Sequence, residues 1–157
     1  SLNTKVFERS RTSQDYPPKL NTKVIQRRRM KFFKFWFPVL LYFVIIFYVS
    51  SLPHLRVSFK GLPVDKLFHL LEYSVAGFLL ARAFHNTQEG LSKRTIVWRV
   101  VLFCFFYGLT DEFHQAFVAG RSASWGDWLM DTLGGLLGGF NYQSSHRIKK
   151  FSIDGMH

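Results

Sequence analysis

Asp65, His69 and Glu72 follow one another at intervals of four and three residues, the spacing that puts side chains on one face of a helix. Lys66 and Tyr73 stand next to this triplet. A second polar stretch, Asp111-Glu112-Phe113-His114-Gln115, is followed by Gly120-Arg121 and then by Asp127 and Asp131. Histidine with carboxylates is the equipment of general acid–base chemistry. Lysine and arginine can hold a phosphate or carboxylate group. Asp65, His69, Glu72, Asp111 and Glu112 are therefore the candidate catalytic residues. Lys66, Tyr73, Gln115, Arg121 and Asp127 are the candidate substrate-binding residues.

Both stretches abut long apolar segments, where an ionisable group is costly unless it pairs or performs a task. Six of the ten acids (Asp65, Glu72, Asp111, Glu112, Asp127 and Asp131) lie in or beside those segments, which makes them the first place to look for function. If Asp65 marks a helix start after Pro63, Glu72 falls about 10 Å deeper, inside the hydrocarbon of a bilayer.

The elements that must carry these residues are four apolar blocks, running from about 35 to 52, 65 to 84, 95 to 109 and 127 to 142. A spanning helix needs about 20 residues, fewer when its ends snorkel. The expected fold is thus all-α, a polytopic membrane bundle of about four transmembrane helices. The fourth block is short and contains Asp131 and five glycines from Gly126 to Gly139, so it needs protein neighbours to be stable in lipid. Gly134 and Gly138 continue the face of Asp127 and Asp131, a small-residue strip suited to close helix contact, with Ser74 and Gly77 as its expected counterparts.

The formal charge of +11 would suggest nucleic acid if the cations formed one patch. Instead they alternate with the apolar blocks. Ten of the 21 Lys and Arg precede residue 35, four lie from Arg82 to Arg99, and three follow residue 145. With the N-terminus inside, four spans place these seventeen on the cytoplasmic side and only Arg56, Lys60, Lys66 and Arg121 outside. The positive-inside bias then predicts a multi-pass protein of the inner (cytoplasmic) membrane with both termini inside and both polar stretches facing outward. Membrane lipid is the expected partner and nucleic acid is not. Cys104 is the single cysteine, expected in a lipid-facing setting, so there is no disulfide framework.

Residues 1–29 are basic and poor in large apolar side chains, with Pro17-Pro18 breaking any helix, and read as a disordered segment. The chain lacks an initial Met and Met30 stands before the first apolar block, so this segment is expected to be dispensable. A truncation at Met30 that abolished insertion would overturn that. The first block reads as an uncleaved helix because no small-x-small cleavage site follows it. Domain boundaries are expected at 1–29, 30–142 for the transmembrane domain, and 143–157 for a basic cytoplasmic tail.

From about Met30 to Phe140 the chain resembles the VanZ-like membrane proteins. Their pattern, Asp-Lys-x-x-His-x-x-x-Tyr followed by Asp-Glu-x-x-Gln and then Gly-Arg-x-x-x-x-x-Asp, is met by Asp65, Lys66, His69, Tyr73, Asp111, Glu112, Gln115, Gly120, Arg121 and Asp127. Residues 1–29 lie outside the resemblance. It implies a small multi-helix membrane domain of the cell envelope, in a family named for a protein associated with resistance to the glycopeptide teicoplanin, and it assigns no cofactor.

Four roles fit these residues. As an enzyme, the cluster would act on a lipid-linked, polyprenyl-phosphate or cell-wall precursor, although no nucleophile elbow or phosphate loop is present. As a binder, the outer loops with Trp125 and Trp128 would recognise a glycopeptide, a precursor or a partner membrane protein. As a scaffold, His69, Glu72, Asp111, Arg121 and Asp127 would form a structural ion-pair network. A metal centre drawing on His69, Glu72, Glu112, His114 and Asp131 is the smallest share, because His-x-x-Glu spacing is common by chance; no metal ligand is assigned. His54, His85, His146 and His157 are expected to be solvated loop residues.

Overall fold

The computed structural model describes residues 22–53 and 64–154, with side chains through residue 146. Ser1–Met30 and Lys31–His157 are separate units. Of the first, residues 22–30 are described, as the opening of a helix. The described residues form four helices and no strand: α1 (Thr22–Ser50), α2 (Val64–Thr87), α3 (Lys93–Gln115) and α4 (Trp125–Asp154).

Each apolar block corresponds to one helix, and the helices extend past the blocks except at Ser50, where α1 stops two residues before the first block ends. α1 begins at Thr22, inside the stretch expected to be disordered, because residues 22–30 contain neither Pro nor Gly and consist largely of good helix formers. Pro17-Pro18 and the rest of 1–21 fall outside the described residues. Likewise α4 continues to Asp154, through much of the expected tail, since nothing from Asn141 to Ile148 breaks a helix. The basic stretch from Arg82 to Arg99 is mostly helical too; the connection itself spans only 88–92, where Gly90 takes a φ of 81° and Ser92 caps α3 by accepting from the Thr95 N–H at 3.1 Å.

Side-chain contacts give the helix directions within Lys31–His157. Trp36 donates to Thr87 Oγ1 at 3.1 Å and Tyr42 to the Glu72 carbonyl at 3.1 Å, so α1 and α2 run in opposite directions. Contacts of Lys66 with Asp127, His69 with Asp131 and Asn86 with Tyr142 show α2 and α4 running together. Trp128 reaches the Phe105 carbonyl at 2.9 Å while Gly135 lies on Cys104, so α3 opposes α4. The result is an up-down-up-down bundle.

Its tightest seam is between α2 and α4. A Cβ at Gly77 would meet the backbone of Gly135, one at Gly134 the Leu70 carbonyl and Tyr73, and one at Gly138 the backbone of Ser74 and Phe78. The small-residue strip on α4 and its counterparts at Ser74 and Gly77 therefore meet as their spacing predicts. α1 packs through larger groups: Phe43 lies 4.4 Å from the Tyr107 ring, and Trp36 stacks edge-on to Phe84 at 5.2 Å. Cys104 is fully buried against Gly135 rather than facing outward, because the glycine leaves room for the thiol.

α1 and α2 are long and apolar enough to cross a membrane by length and composition. Phe33, Phe37, Leu40, Val44 and Tyr48 of α1 are all more than 60% exposed, a continuous apolar face that a bilayer would cover. At the other end from Asp111, Asp127 and Asp131, Arg82 lies over the Phe35 ring, Arg99 over Phe84, and Arg99 bonds Gln88.

Candidate functional site

The two polar stretches meet at one end of the bundle. The N-terminal turns of α2 and α4 and the C-terminal turns of α1 and α3 arrive there together, so residues more than 60 positions apart become neighbours. The turn joining α3 to α4 is shaped by Gly120, whose φ of 80° lies in the left-handed region. Ser124 then caps α4, its hydroxyl accepting from the Asp127 N–H at 3.4 Å, and places an acid in the first turn where the helix dipole favours one.

A cleft of about 520 Å³ opens at this end. Asp65, His69, Glu72, Asp111, Gln115 and Arg121 supply its polar groups; Tyr42, Val49, Phe68, Leu71 and Val75 supply most of the rest. Asp65, His69 and Glu72 thus share one wall, as an i, i+4, i+7 face requires. Gln115 donates to Asp111 Oδ2 at 3.0 Å, leaving the buried Asp111 Oδ1 without a hydrogen-bond partner. Among the described residues the Arg121 guanidinium makes no ion pair within 4.0 Å. Tyr42 and Ser50, which sequence reading had not singled out, bring α1 into the cleft; their polar groups within a largely apolar block were the available signal.

Behind the cleft lies a buried cluster. His69 Nδ1 and Asp131 Oδ1 are 2.9 Å apart, with side-chain exposures of 6% and 0%. Lys66 Nζ stands 3.1 Å from Asp127 Oδ1. Glu112 Oε2 accepts from the Ser124 N–H at 2.7 Å, while Glu112 Oε1 and Asp131 Oδ2 are buried without a hydrogen-bond partner. One donor atom each from His69, Glu112 and Asp127 lie within 4.8 Å of one another. His69 belongs to both groups, bordering the cleft and the cluster.

Four residues sit differently from their sequence expectation. Tyr73 is wholly buried in the core beside Gly134 and does not line the cleft; its place one residue on from Glu72 turns it about 100° around the helix. His114 leaves Asp111 and joins α1, where it lies 3.0 Å from Ser51 Oγ and stacks on Phe47 at 4.5 Å. His85 and His146 are helical rather than in loops, their rings 4.4 Å apart. His54 and His157 lie outside the described residues. Trp125 is 78% exposed, whereas Trp128 packs on Phe105.

A family model described as VanZ/LLP1 matches residues 5–145, and the chain belongs to that family. The match begins well before Met30, so it takes in most of the basic segment that the motif resemblance had left outside. No curated protein and no solved structure matches the chain.

Proposed function

We propose that this member of the VanZ/LLP1 family is a multi-pass protein of the cytoplasmic membrane that holds the polar head of a lipid-linked cell-envelope ligand in the cleft. The observation that carries this reading is the composition of the cleft wall. Three carboxylates, an imidazole, an amide and a guanidinium face the same space as Phe68, Leu71 and Val75. Such a site suits a ligand whose head carries hydroxyl or amine groups and a phosphate while its tail is apolar. Arg121 would hold the phosphate; Asp65, Glu72, Asp111 and Gln115 would take the hydroxyls and amines.

A four-span arrangement with both termini inside is supported by the seventeen cations it places on the inner side against four outside. The up-and-down directions put the cleft at the opposite end from Arg82 and Arg99, which faces it outward in that orientation. A contribution to glycopeptide resistance would then arise through a cell-wall precursor held at the outer surface.

Native mass spectrometry of the purified full chain in detergent tests the reading. A polyprenyl diphosphate bearing an amino sugar should be retained over neutral diacylglycerol, and Arg121→Gln should weaken retention about tenfold or more, the scale of a charge-assisted hydrogen bond. Equal retention of the two lipids, or no effect of Arg121→Gln, overturns it.

One observation favours a scaffold instead: His69 with Asp131, Lys66 with Asp127, and Gln115 with Asp111 already pair with one another. On that reading no lipid is retained, and Glu72→Gln or Asp111→Asn changes only stability.

A further inference from the structure

We propose that His69, Glu112 and Asp127 form a site for a divalent first-row transition ion such as zinc, with Asp131 orienting the histidine and Lys66 standing in for the ion when none is bound. Their donor atoms lie within 4.8 Å of one another, close enough for modest side-chain adjustment to bring one ion into reach of all three. The three come from α2, α3 and α4, and all are buried.

A group of acids would not by itself amount to a site. Here a second observation points inward: Glu112 is only 4% exposed, yet its Oε1 has no hydrogen-bond partner. A buried carboxylate oxygen left this way is costly unless something cationic reaches it. Its other oxygen is fixed by the Ser124 N–H, which aims the carboxylate.

The histidine is also prepared for coordination. Nδ1 is committed to Asp131 at 2.9 Å, leaving the other ring nitrogen to coordinate. A carboxylate behind a histidine ligand fixes its tautomer and strengthens it as a donor. One imidazole nitrogen and two carboxylate oxygens suit zinc or manganese, whereas calcium and magnesium prefer all-oxygen shells. Two negative ligands balance the charge of a divalent ion, and water completes the coordination.

Lys66 explains how the pocket is balanced without metal. Its ammonium sits 3.1 Å from Asp127, and its side chain is 40% exposed, so it can withdraw. Of the three ligands, His69 also lines the cleft. The site stands on its own geometry, whatever fills the cleft.

The test uses the purified full chain in detergent, stripped with chelator and re-equilibrated with zinc chloride or, separately, manganese chloride. Elemental analysis after desalting should find one ion per chain, and thermal unfolding should move upward with free metal. Glu112→Gln and His69→Asn should lose the ion. Asp131→Asn should weaken it about 10- to 100-fold, as loss of such an orienting partner does. Lys66→Gln should tighten it by up to about fivefold, the range of a partly exposed ion pair. Because Lys66→Gln moves affinity in the opposite direction from a damaged fold, it keeps the test decisive if the ligand variants are unstable. Wild-type protein that takes up no ion, unchanged or weaker binding in Lys66→Gln, or loss of the ion in a His85→Ala/His146→Ala variant with retention in Glu112→Gln, would each overturn the site.

Discussion

Asp131 and His69, 62 positions apart in sequence, are held 2.9 Å apart on helices α4 and α2 that run in the same direction. Asp131 has no exposed side-chain surface and also fills the space over Gly108 of α3. A single carboxylate therefore ties three helices together at the polar end. Replacing it by Ala leaves His69 without its partner and opens a void, for which breaking a buried pair predicts a loss of about 3–5 kcal/mol. Asp131→Asn, which retains shape and an acceptor oxygen, should lose less. Thermal unfolding in a fixed detergent measures both, and equal midpoints for wild type and Asp131→Ala would exclude a role for the pair in stability.

The glycine strip makes a sharper structural prediction, because two adjacent glycines face different surroundings. A Cβ at Gly138 would run into the backbone of Ser74 and Phe78, which cannot give way without moving α2. At Gly139 the nearest atoms are Val100 side-chain carbons at 3.6 and 3.8 Å, ordinary packing distance. Gly138→Ala should cost about 1–3 kcal/mol from overpacking, while Gly139→Ala should be neutral or gain up to about 1 kcal/mol from helix propensity. Similar melting of the two variants would mean that α2 and α4 do not meet as described.

Orientation is open to a labelling experiment. Glu89 lies in the connection between α2 and α3, and Ser122 in the turn between α3 and α4; both are exposed. In a Cys104→Ala background, Ser122→Cys should react with a membrane-impermeant maleimide in intact cells. Glu89→Cys should react only after permeabilisation. The reverse pattern would turn the cleft toward the cytoplasm.

Much of this architecture was visible along the chain, for a physical reason. Four apolar blocks separated by cations correspond to four helices, and the intervals between Asp65, His69 and Glu72 place them on one wall because helical periodicity is local. Periodicity says nothing about which face of a helix turns inward. Tyr73 therefore carried the expectation of its neighbour Glu72, while the glycines of α4 draw it into the core. Asp131 was legible as an acid on the glycine face, but its choice of His69 depends on the register of two helices, set by backbone contacts at Gly77, Gly134 and Gly138. Helix ends were read short because charged residues lower hydropathy without breaking a helix, as Thr22–Met30 and the residues after Tyr142 show.

His114 separates helical spacing from tertiary placement most cleanly. It lies three residues after Asp111, which makes it a natural member of an acid–base or metal set by sequence, yet its ring contacts Phe47 of α1 and Ser51 just beyond it. His114→Ala should leave zinc stoichiometry and retention of the lipid-linked amino sugar as in wild type. It should lower stability by about 1 kcal/mol through the lost hydrogen bond and ring contact. His69→Asn, on the same measurements, should lose the ion. Parallel loss of zinc in both variants would mean that the histidine of the second polar stretch turns inward after all, and that α1 packs against α3 through some other surface.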